Sequence, residues 1–175
     1  MTAALSVAVL ADCHIHPGKV DWPDAGLKAL AGVDMIVTLG DMGEASGLDR
    51  LSAIAPVTGV RGADDADDPR TGVASRRLEL AGVAIGCVFD AVRAGLVTRD
   101  GQVALAEGCA EAEARLFGGP IEVLLCASTH RAAEARLGGR LVIDPGSLTL
   151  PADETPTFAL LTLEAGRCEA RIVRI

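Results

Sequence analysis

The amino-acid sequence predicts an α/β fold in which two mixed β-sheets face each other and helices cover their outer faces, a four-layer α-β-β-α sandwich. Two observations predict it. Strands and helices alternate in the first sixty residues, which favours parallel β-α-β units. Strands then follow one another with short turns between them, which favours antiparallel pairing. The 175 residues, half of them apolar, are enough for one domain spanning 1–175 with a substantial core.

The first half of the chain shows the alternation. Apolar runs typical of buried strands are separated by segments with helical spacing of Leu and Ile. The predicted elements are strands at 6–10 and 34–39 with a helix at 23–31 between them, then a helix around 48–54 and a strand at 56–60. The acidic stretch 62–72 is predicted to be a solvated loop.

The second half is richer in strands. Two runs separated by Ala81-Gly82 predict a β-hairpin, and an Ala/Glu-rich segment that ends at Gly118-Gly119-Pro120 predicts a helix. The predicted elements are the hairpin strands 76–80 and 83–88, the helix 104–117, and strands at 121–126, 140–143, 157–163 and 168–175.

Composition and charge exclude several classes of function. The net charge of −8, without a Lys/Arg cluster, argues against an extended nucleic acid as partner. The five cysteines are odd in number and lack C-x-x-C spacing, so we expect reduced thiols in a cytoplasmic protein. The apolar start has no basic flank, unlike a signal peptide, and no stretch approaches the ~20 apolar residues of a membrane span. We therefore expect no membrane partner.

Side chains of the kind that bind metals follow several of the predicted strands. Asp12 and His14 are two residues apart at a strand end, so both can reach one cation. Asp41 follows Gly40, which lets the backbone turn, and His130 follows a later strand. Strand ends of an α/β sheet converge on one crevice. Two carboxylates and two imidazoles would suit Mn²⁺, Fe²⁺ or Zn²⁺ better than Ca²⁺.

Each of these residues also has a purely structural interpretation. Asp and His can simply cap strand ends and helices. His16 continues the alternation into the same crevice or belongs to a solvated loop, and its sequence context leaves both open. Cys13 points away from its neighbours and is predicted to be a core thiol. The segment from Asp144 to Ser147 is an ordinary turn by composition.

Six short segments, spread over the whole chain, follow an order that resembles that of a known family. They are Asp12-Cys13-His14, Gly40-Asp41, Gly62-Ala63-Asp64-Asp65, Cys87-Val88-Phe89-Asp90, Ala127-Ser128-Thr129-His130 and Asp144-Pro145-Gly146-Ser147. The calcineurin-like metallophosphoesterases, especially the small single-domain phosphodiesterases of bacteria and archaea, are similar in this order. Their motifs are Asp-x-His, Gly-Asp, Gly-Asn-(Cys/His)-(Asp/Glu), His-Gly, Gly-His-x-His and Asn-Pro-Gly-Ser.

The resemblance implies one complete metal site and one degraded site. The ligands that it implies for the first metal are all present: Asp12, His14, Asp41 and His130. The positions that it implies for the remaining ligands of the second metal have lost their donors: Ala63, Val88 or Phe89, and Ser128. Neighbouring carboxylates that would be substitutes are Asp64, Asp65 and Asp90. We therefore expect one divalent cation (Mn, Fe or Zn) per chain.

Two functions are compatible with this pattern. The first is a divergent metal-dependent phosphoesterase that acts on a small phosphorylated molecule, with His16 as the candidate catalytic residue. The second is a catalytically inactive protein that uses the fold to bind a protein partner, as the scaffold subunit of the retromer complex does with a similar fold. A pair of metals normally stabilises both the attacking and the leaving oxygen, so the loss of one lowers the expected activity.

Overall fold

The computed structural model describes residues 4–100 and 102–175. Within these residues the chain forms twelve strands and three helices. They are β1 (Leu5–Leu10), α1 (Asp24–Ala29), β2 (Met35–Thr38), α2 (Ala45–Ser52), β3 (Val57–Gly59), β4 (Ser75–Leu80), β5 (Val83–Val88), β6 (Val97–Thr98), β7 (Ala104–Leu105), α3 (Cys109–Phe117), β8 (Val123–Leu125), β9 (Ala132–Leu137), β10 (Arg140–Pro145), β11 (Thr157–Glu164) and β12 (Arg167–Arg174).

The strands form two five-stranded mixed sheets and a short two-stranded ribbon. The first sheet has the order β12-β11-β1-β2-β3, with β1, β2 and β3 parallel to one another and β11 and β12 antiparallel. The second sheet has the order β4-β5-β8-β10-β9, with β5, β8 and β10 parallel and the two edge strands antiparallel. In each sheet, the parallel strands therefore end at the same edge.

Three buried clusters establish the layers. The inner cluster joins the two sheets face to face, for example Val9 and Val37 of the first sheet with Ile85 and Leu125 of the second. A second cluster covers the outer face of the first sheet with α1 and α2. A third covers the outer face of the second sheet with α3, where Phe117 packs. The predicted four-layer sandwich is confirmed.

Three parts of the fold differ from the prediction. The predicted helix 104–117 begins only at Cys109, because Gly108 has a φ of 81°, which no right-handed helix accommodates. The first residues of that range, Ala104–Leu105, instead form β7, which pairs with the unpredicted strand β6. The strand Ala132–Leu137 was not predicted, since its Ala, Glu, Arg and Leu residues have high helix propensity. It pairs antiparallel with β10 along its length, through the left-handed turn Gly138-Gly139. Pairing with a buried strand outweighs local preference here.

The helices of the fold are short, and the longest in the described residues has nine. Among the described residues, no helix combines the length and the apolar character needed to cross a bilayer.

Candidate functional site

The loops after the parallel strands of both sheets meet at one edge of the sandwich. The first two are joined by backbone hydrogen bonds, from the Asp12 amide to the Gly40 carbonyl (3.0 Å) and from the His14 amide to the Asp41 carbonyl (2.8 Å). The loop after β8 joins them when the Ser128 amide donates to Asp12 Oδ2 (3.1 Å). Asp12 and Ser128 are 116 residues apart in the sequence, so only the packing of the two sheets brings them together.

Backbone strain is concentrated at this edge. Five non-glycine residues of the site have a left-handed φ: Asp12 (52°), His14 (46°), Asp41 (50°), Ser128 (76°) and His130 (55°). Such a conformation costs on the order of 1–3 kcal/mol per residue and persists only where the surroundings impose it. This clustering is typical of functional sites.

The carboxylate of Asp12 lies at the centre of the site. The residue is fully buried, and its Oδ2 accepts the amides of Ser128 and His130 (3.1 and 3.4 Å). Its Oδ1 is buried and has no hydrogen-bond partner among the described residues. Burial raises the pKa of Asp12 to about 6, although the nearby His130 opposes the shift. A buried acceptor without a donor is costly, so a cation at Oδ1 would satisfy it.

Two histidine rings stack beside this orphan oxygen. The rings of His14 and His130 lie 5.2 Å apart between centroids and are nearly parallel (10°). His130 Nδ1 donates to the Leu150 carbonyl (2.7 Å), and its Nε2 lies 3.9 Å from Asp12 Oδ1. One ligand atom from each of Asp12, His14 and His130 lies within 4.8 Å of the others. These three side chains therefore fit a divalent cation.

Asp41 lies on the side of this three-residue group next to His14. Its Oδ2 is 3.8 Å from His14 Nε2, too far for a hydrogen bond. Asp41 would therefore be a further ligand for a cation held beside His14. The other carboxylate oxygen of Asp41, Oδ1, accepts a hydrogen bond from the Asp64 amide (2.7 Å).

Asp64 holds both histidines of the first loop. Its Oδ2 lies 2.6 Å from His14 Nδ1 and 3.0 Å from His16 Nε2. These two hydrogen bonds lower the pKa of Asp64, so the carboxylate accepts and the ring nitrogens donate. His14 is then left with Nε2 as its metal-facing atom. Carboxylates commonly orient metal-binding histidines in this way.

His16 lies in the wall of the same crevice. Besides Asp64, its ring approaches Glu44, at 3.7 Å from Nδ1 to Oε1. The hydrogen bond with Asp64 raises the pKa of His16. The sequence left open whether His16 faces the crevice or belongs to a solvated loop. In the structure it faces the crevice, through its contact with Asp64. His16 remains partly open to solvent.

Asp65 has a different role from its neighbour. Its carboxylate accepts four backbone amides, those of Asp41 (3.0 Å), Met42 (2.6 Å), Gly43 (3.1 Å) and Gly62 (2.7 Å). All four belong to the loop after β2 and to the acidic segment itself. The segment predicted to be a solvated loop therefore contains, at Asp65, a clamp that fixes the position of Asp41.

The positions expected to have lost second-site ligands are at the same edge. Ala63 is exposed, and Ser128 contacts Asp12 through its backbone. Val88 points into the outer cluster, whereas the Phe89 ring packs toward the inner one and against Gly40. Of the two residues, Phe89 is thus the one that lies beside the loop after β2.

Asp90 is the third carboxylate considered as a substitute ligand. Its Oδ1 accepts the amides of Val92 and Arg93 (3.0 and 3.1 Å), which closes the turn after β5. Asp64, Asp65 and Asp90 therefore have three different sets of partners, and the group of three metal-facing donors contains none of them.

The segment Asp144–Ser147 is joined to the site by hydrogen bonds to Thr129 and Asp12. Asp144 accepts the Thr129 hydroxyl (2.6 Å) and the Gly146 amide (3.1 Å), and burial raises its pKa. Ser147 Oγ donates to the Asp12 carbonyl (2.8 Å). Sequence reasoning did not identify the Leu150 carbonyl that orients His130. A backbone acceptor has no residue-type signal.

Comparison with curated proteins identifies archaeal relatives. The chain is 25% identical over 174 residues to a probable metallophosphoesterase from Methanothermobacter thermautotrophicus, which covers 96% of this chain and 91% of that protein. It is 26% identical over 172 residues to a probable metallophosphoesterase from Methanocaldococcus jannaschii, with 97% and 81% covered.

Solved structures share the fold. Vps29 from Chaetomium thermophilum has a TM-score of 0.72 at 19% identity, covering 98% of this chain and 95% of that one. Vps29 from Entamoeba histolytica, in complex with Zn²⁺, has a TM-score of 0.69 at 19% identity, covering 97% and 99%. The family model for the calcineurin-like phosphoesterase superfamily domain matches residues 5–166. The chain therefore belongs to the calcineurin-like phosphoesterase superfamily.

Proposed function

We propose that this protein is a divergent metal-dependent phosphoesterase that acts on a small phosphoester with one well-formed cation site. The observation that carries the proposal is the buried Asp12 Oδ1, which lacks a hydrogen-bond partner among the described residues. It lies 3.9 Å from His130 Nε2. A divalent cation bound there would supply Lewis-acid chemistry to a phosphoryl oxygen and to a water.

The donor set favours a particular group of cations. Imidazole nitrogens from His14 and His130 together with the Asp12 carboxylate suit Zn²⁺, Fe²⁺ or Mn²⁺, whereas Ca²⁺ prefers an all-oxygen shell. Asp41 is the expected fourth ligand, beside His14. We expect one cation per chain.

The residues around the donors keep them in position. Asp64 fixes His14, the Leu150 carbonyl fixes His130, and the amides of the loop after β8 fix Asp12. Such preorganisation reduces the rearrangement required for binding and for reaction. His16 is the candidate proton donor to a leaving oxygen. It lies on the crevice wall, and its hydrogen bond with Asp64 favours the protonated ring.

A second candidate function is protein binding without catalysis. It is favoured by the Phe89 ring, which packs against Gly40 where the family pattern has a metal-binding histidine. One solved structure of similar fold, Vps29 from Chaetomium thermophilum at a TM-score of 0.69, is a complex with a cyclic peptide. If this second function is correct, a bound cation stabilises the protein-binding surface and takes no part in catalysis.

The compartment is proposed from the thiols. All five cysteines are free, and four are buried. Reduced thiols are typical of a cytoplasmic protein.

Metal content and turnover measured together test the proposal. The purified chain, supplied with Mn²⁺ or Zn²⁺, is expected to bind one equivalent and to hydrolyse bis(p-nitrophenyl) phosphate slowly. His130→Ala should lose most of the bound metal and most of the hydrolytic activity. His16→Ala is the matched histidine control. It should retain the metal, because His16 is outside the donor group, and lose turnover if it transfers a proton.

Two results would contradict parts of this proposal. Failure to bind any divalent cation would overturn it. One bound equivalent without turnover of any phosphoester would favour protein binding.

A further inference from the structure

A cavity of about 290 Å³ lies on the outer side of the second sheet. Thr129 and Arg131, the chain neighbours of His130, are in its lining. Asp144 also lines the cavity and accepts the Thr129 hydroxyl (2.6 Å), so the segment that carries His130 forms part of the cavity wall. The organic part of a phosphoester held at the candidate metal centre would meet this wall first.

The walls of the cavity are apolar and built from small side chains. The apolar side chains in the lining are those of Val103, Cys126, Ala133, Ala135 and Val142. Val103 is 40% exposed, whereas Cys126 and Val142 belong to the buried outer cluster, so the cavity has a rigid floor and an open rim. Its volume is near the lower end for small-molecule sites. It therefore fits a single ring-sized group.

One end of the cavity is charged. Asp144, which is 3% exposed, lies there with Thr129 bound to its Oδ2. A guanidinium nitrogen of Arg99 is 3.8 Å from the same oxygen. Arg131 is exposed and forms no ion pair of 4 Å or less with the described residues. Two cations and at most one carboxylate leave a net positive charge. An anionic substituent is complementary to that charge.

We propose that this cavity binds the organic part of the substrate: a ring-sized apolar group that carries an anionic substituent, a carboxylate or a second phosphate, directed at Arg99 and Arg131. This inference rests on the proposed phosphoesterase function and extends it by specifying the substrate class. Arg99 and Ala135 are its specificity-determining positions. The cavity selects the alcohol part of the ester, whereas the metal centre binds the phosphoryl group.

Binding of small probes tests the cavity without depending on turnover. Benzoate, phenyl phosphate and the neutral benzyl alcohol are titrated into the protein by calorimetry, before and after a chelator removes bound metal. Without metal, at least one anionic probe should bind about tenfold more tightly than benzyl alcohol. Comparison of benzoate with phenyl phosphate identifies the preferred anion.

Two variants and a matched control locate the binding. Arg99→Gln should remove most of the preference for anionic probes. Ala135→Phe should weaken the binding of every probe, because the phenyl ring fills the cavity. Glu134→Phe places the same ring on the opposite face of β9 and should change nothing. Ala135 and Glu134 lie on an edge strand, so both variants are expected to fold, as unfolding curves will check.

The outcomes separate this inference from the proposed function. Cavity binding without any turnover would leave the cavity site in place and reject the phosphoesterase. Turnover with a KM unaffected by Arg99→Gln and Ala135→Phe, together with equal binding of charged and neutral probes, would reject the cavity site and retain the phosphoesterase.

Discussion

Asp64 Oδ2 lies 2.6 Å from His14 Nδ1, so a carboxylate next to the lost second-site position Ala63 is engaged with a donor of the first site. The hydrogen bond directs His14 Nε2 toward Asp12 and His130. It also occupies one of the two carboxylate oxygens that Asp64 could offer to a second cation.

Replacing Asp64 tests this orienting role. Asp64→Ala should weaken Zn²⁺ or Mn²⁺ binding by about 10–100-fold, the usual effect of losing a carboxylate behind a metal-binding histidine. Asp64→Asn should weaken metal binding less, because its amide oxygen can still accept the hydrogen bond from His14 Nδ1. Asp67→Asn, an exposed acidic neighbour, is the control. Affinity is measured by calorimetry. A loss of one of two bound equivalents, instead of weaker binding of one, would identify Asp64 as a second-site ligand.

Asp65 should matter for stability more than for metal stoichiometry. Its four amide bonds tie the loop after β2 to the acidic segment. Bonds to a charged acceptor contribute about 1.5–3 kcal/mol each, and they are not additive. Asp65→Ala is therefore expected to lower the free energy of unfolding by about 3 kcal/mol or more in urea titrations of the metal-free protein. An unchanged unfolding midpoint would contradict the clamp.

Restoring the missing donors tests why activity is expected to be low. The triple variant Ala63→Asn, Phe89→His and Ser128→His should raise metal content toward two per chain and raise turnover, since a second cation stabilises the transferring phosphoryl group. Phe89→His alone should do little, because one ligand cannot hold a cation against water. Two bound metals without faster turnover would indicate a crevice adapted to binding. High turnover by the natural chain would contradict the loss of the second site.

Asp68 and Arg70 predict a pH-dependent contribution to stability. Asp68 is 8% exposed, and its bonds to Arg70 lower its pKa. A lowered folded-state pKa adds stability above the unfolded value of about 3.9, and that stability is lost as pH falls through the folded value. Asp68→Asn should therefore cost about 1–3 kcal/mol at pH 7.

The difference between the natural chain and Asp68→Asn should shrink below about pH 4. Unfolding curves at pH 7 and pH 3 measure it. Asp67→Asn, at a 90% exposed side chain in the same segment, should have little effect at pH 7. A constant difference between Asp68→Asn and the natural chain across this range would reject the ionic origin.

Most of the layer architecture was predictable because local patterns encode it. Apolar runs such as 6–10 and 34–39 predict buried strands, and the structure has them as the neighbouring strands β1 and β2 of the first sheet. The strand Ala132–Leu137 was missed because its residues favour helix, although the turn Gly138-Gly139 that joins it to β10 is typical of a β-hairpin. Pairing with the buried strand β10 outweighs that helix propensity.

The sequence by itself determined the family pattern, the four candidate donors Asp12, His14, Asp41 and His130, and the residue types at the positions expected to bind a second metal. Tertiary structure decided how the remaining groups are used. It engaged Asp64 with His14, made Asp65 a clamp and left one oxygen of Asp12 buried without a partner in the described chain. The physical reason is that hydrogen-bond partners and burial depend on distances between residues far apart in sequence, which residue types do not specify.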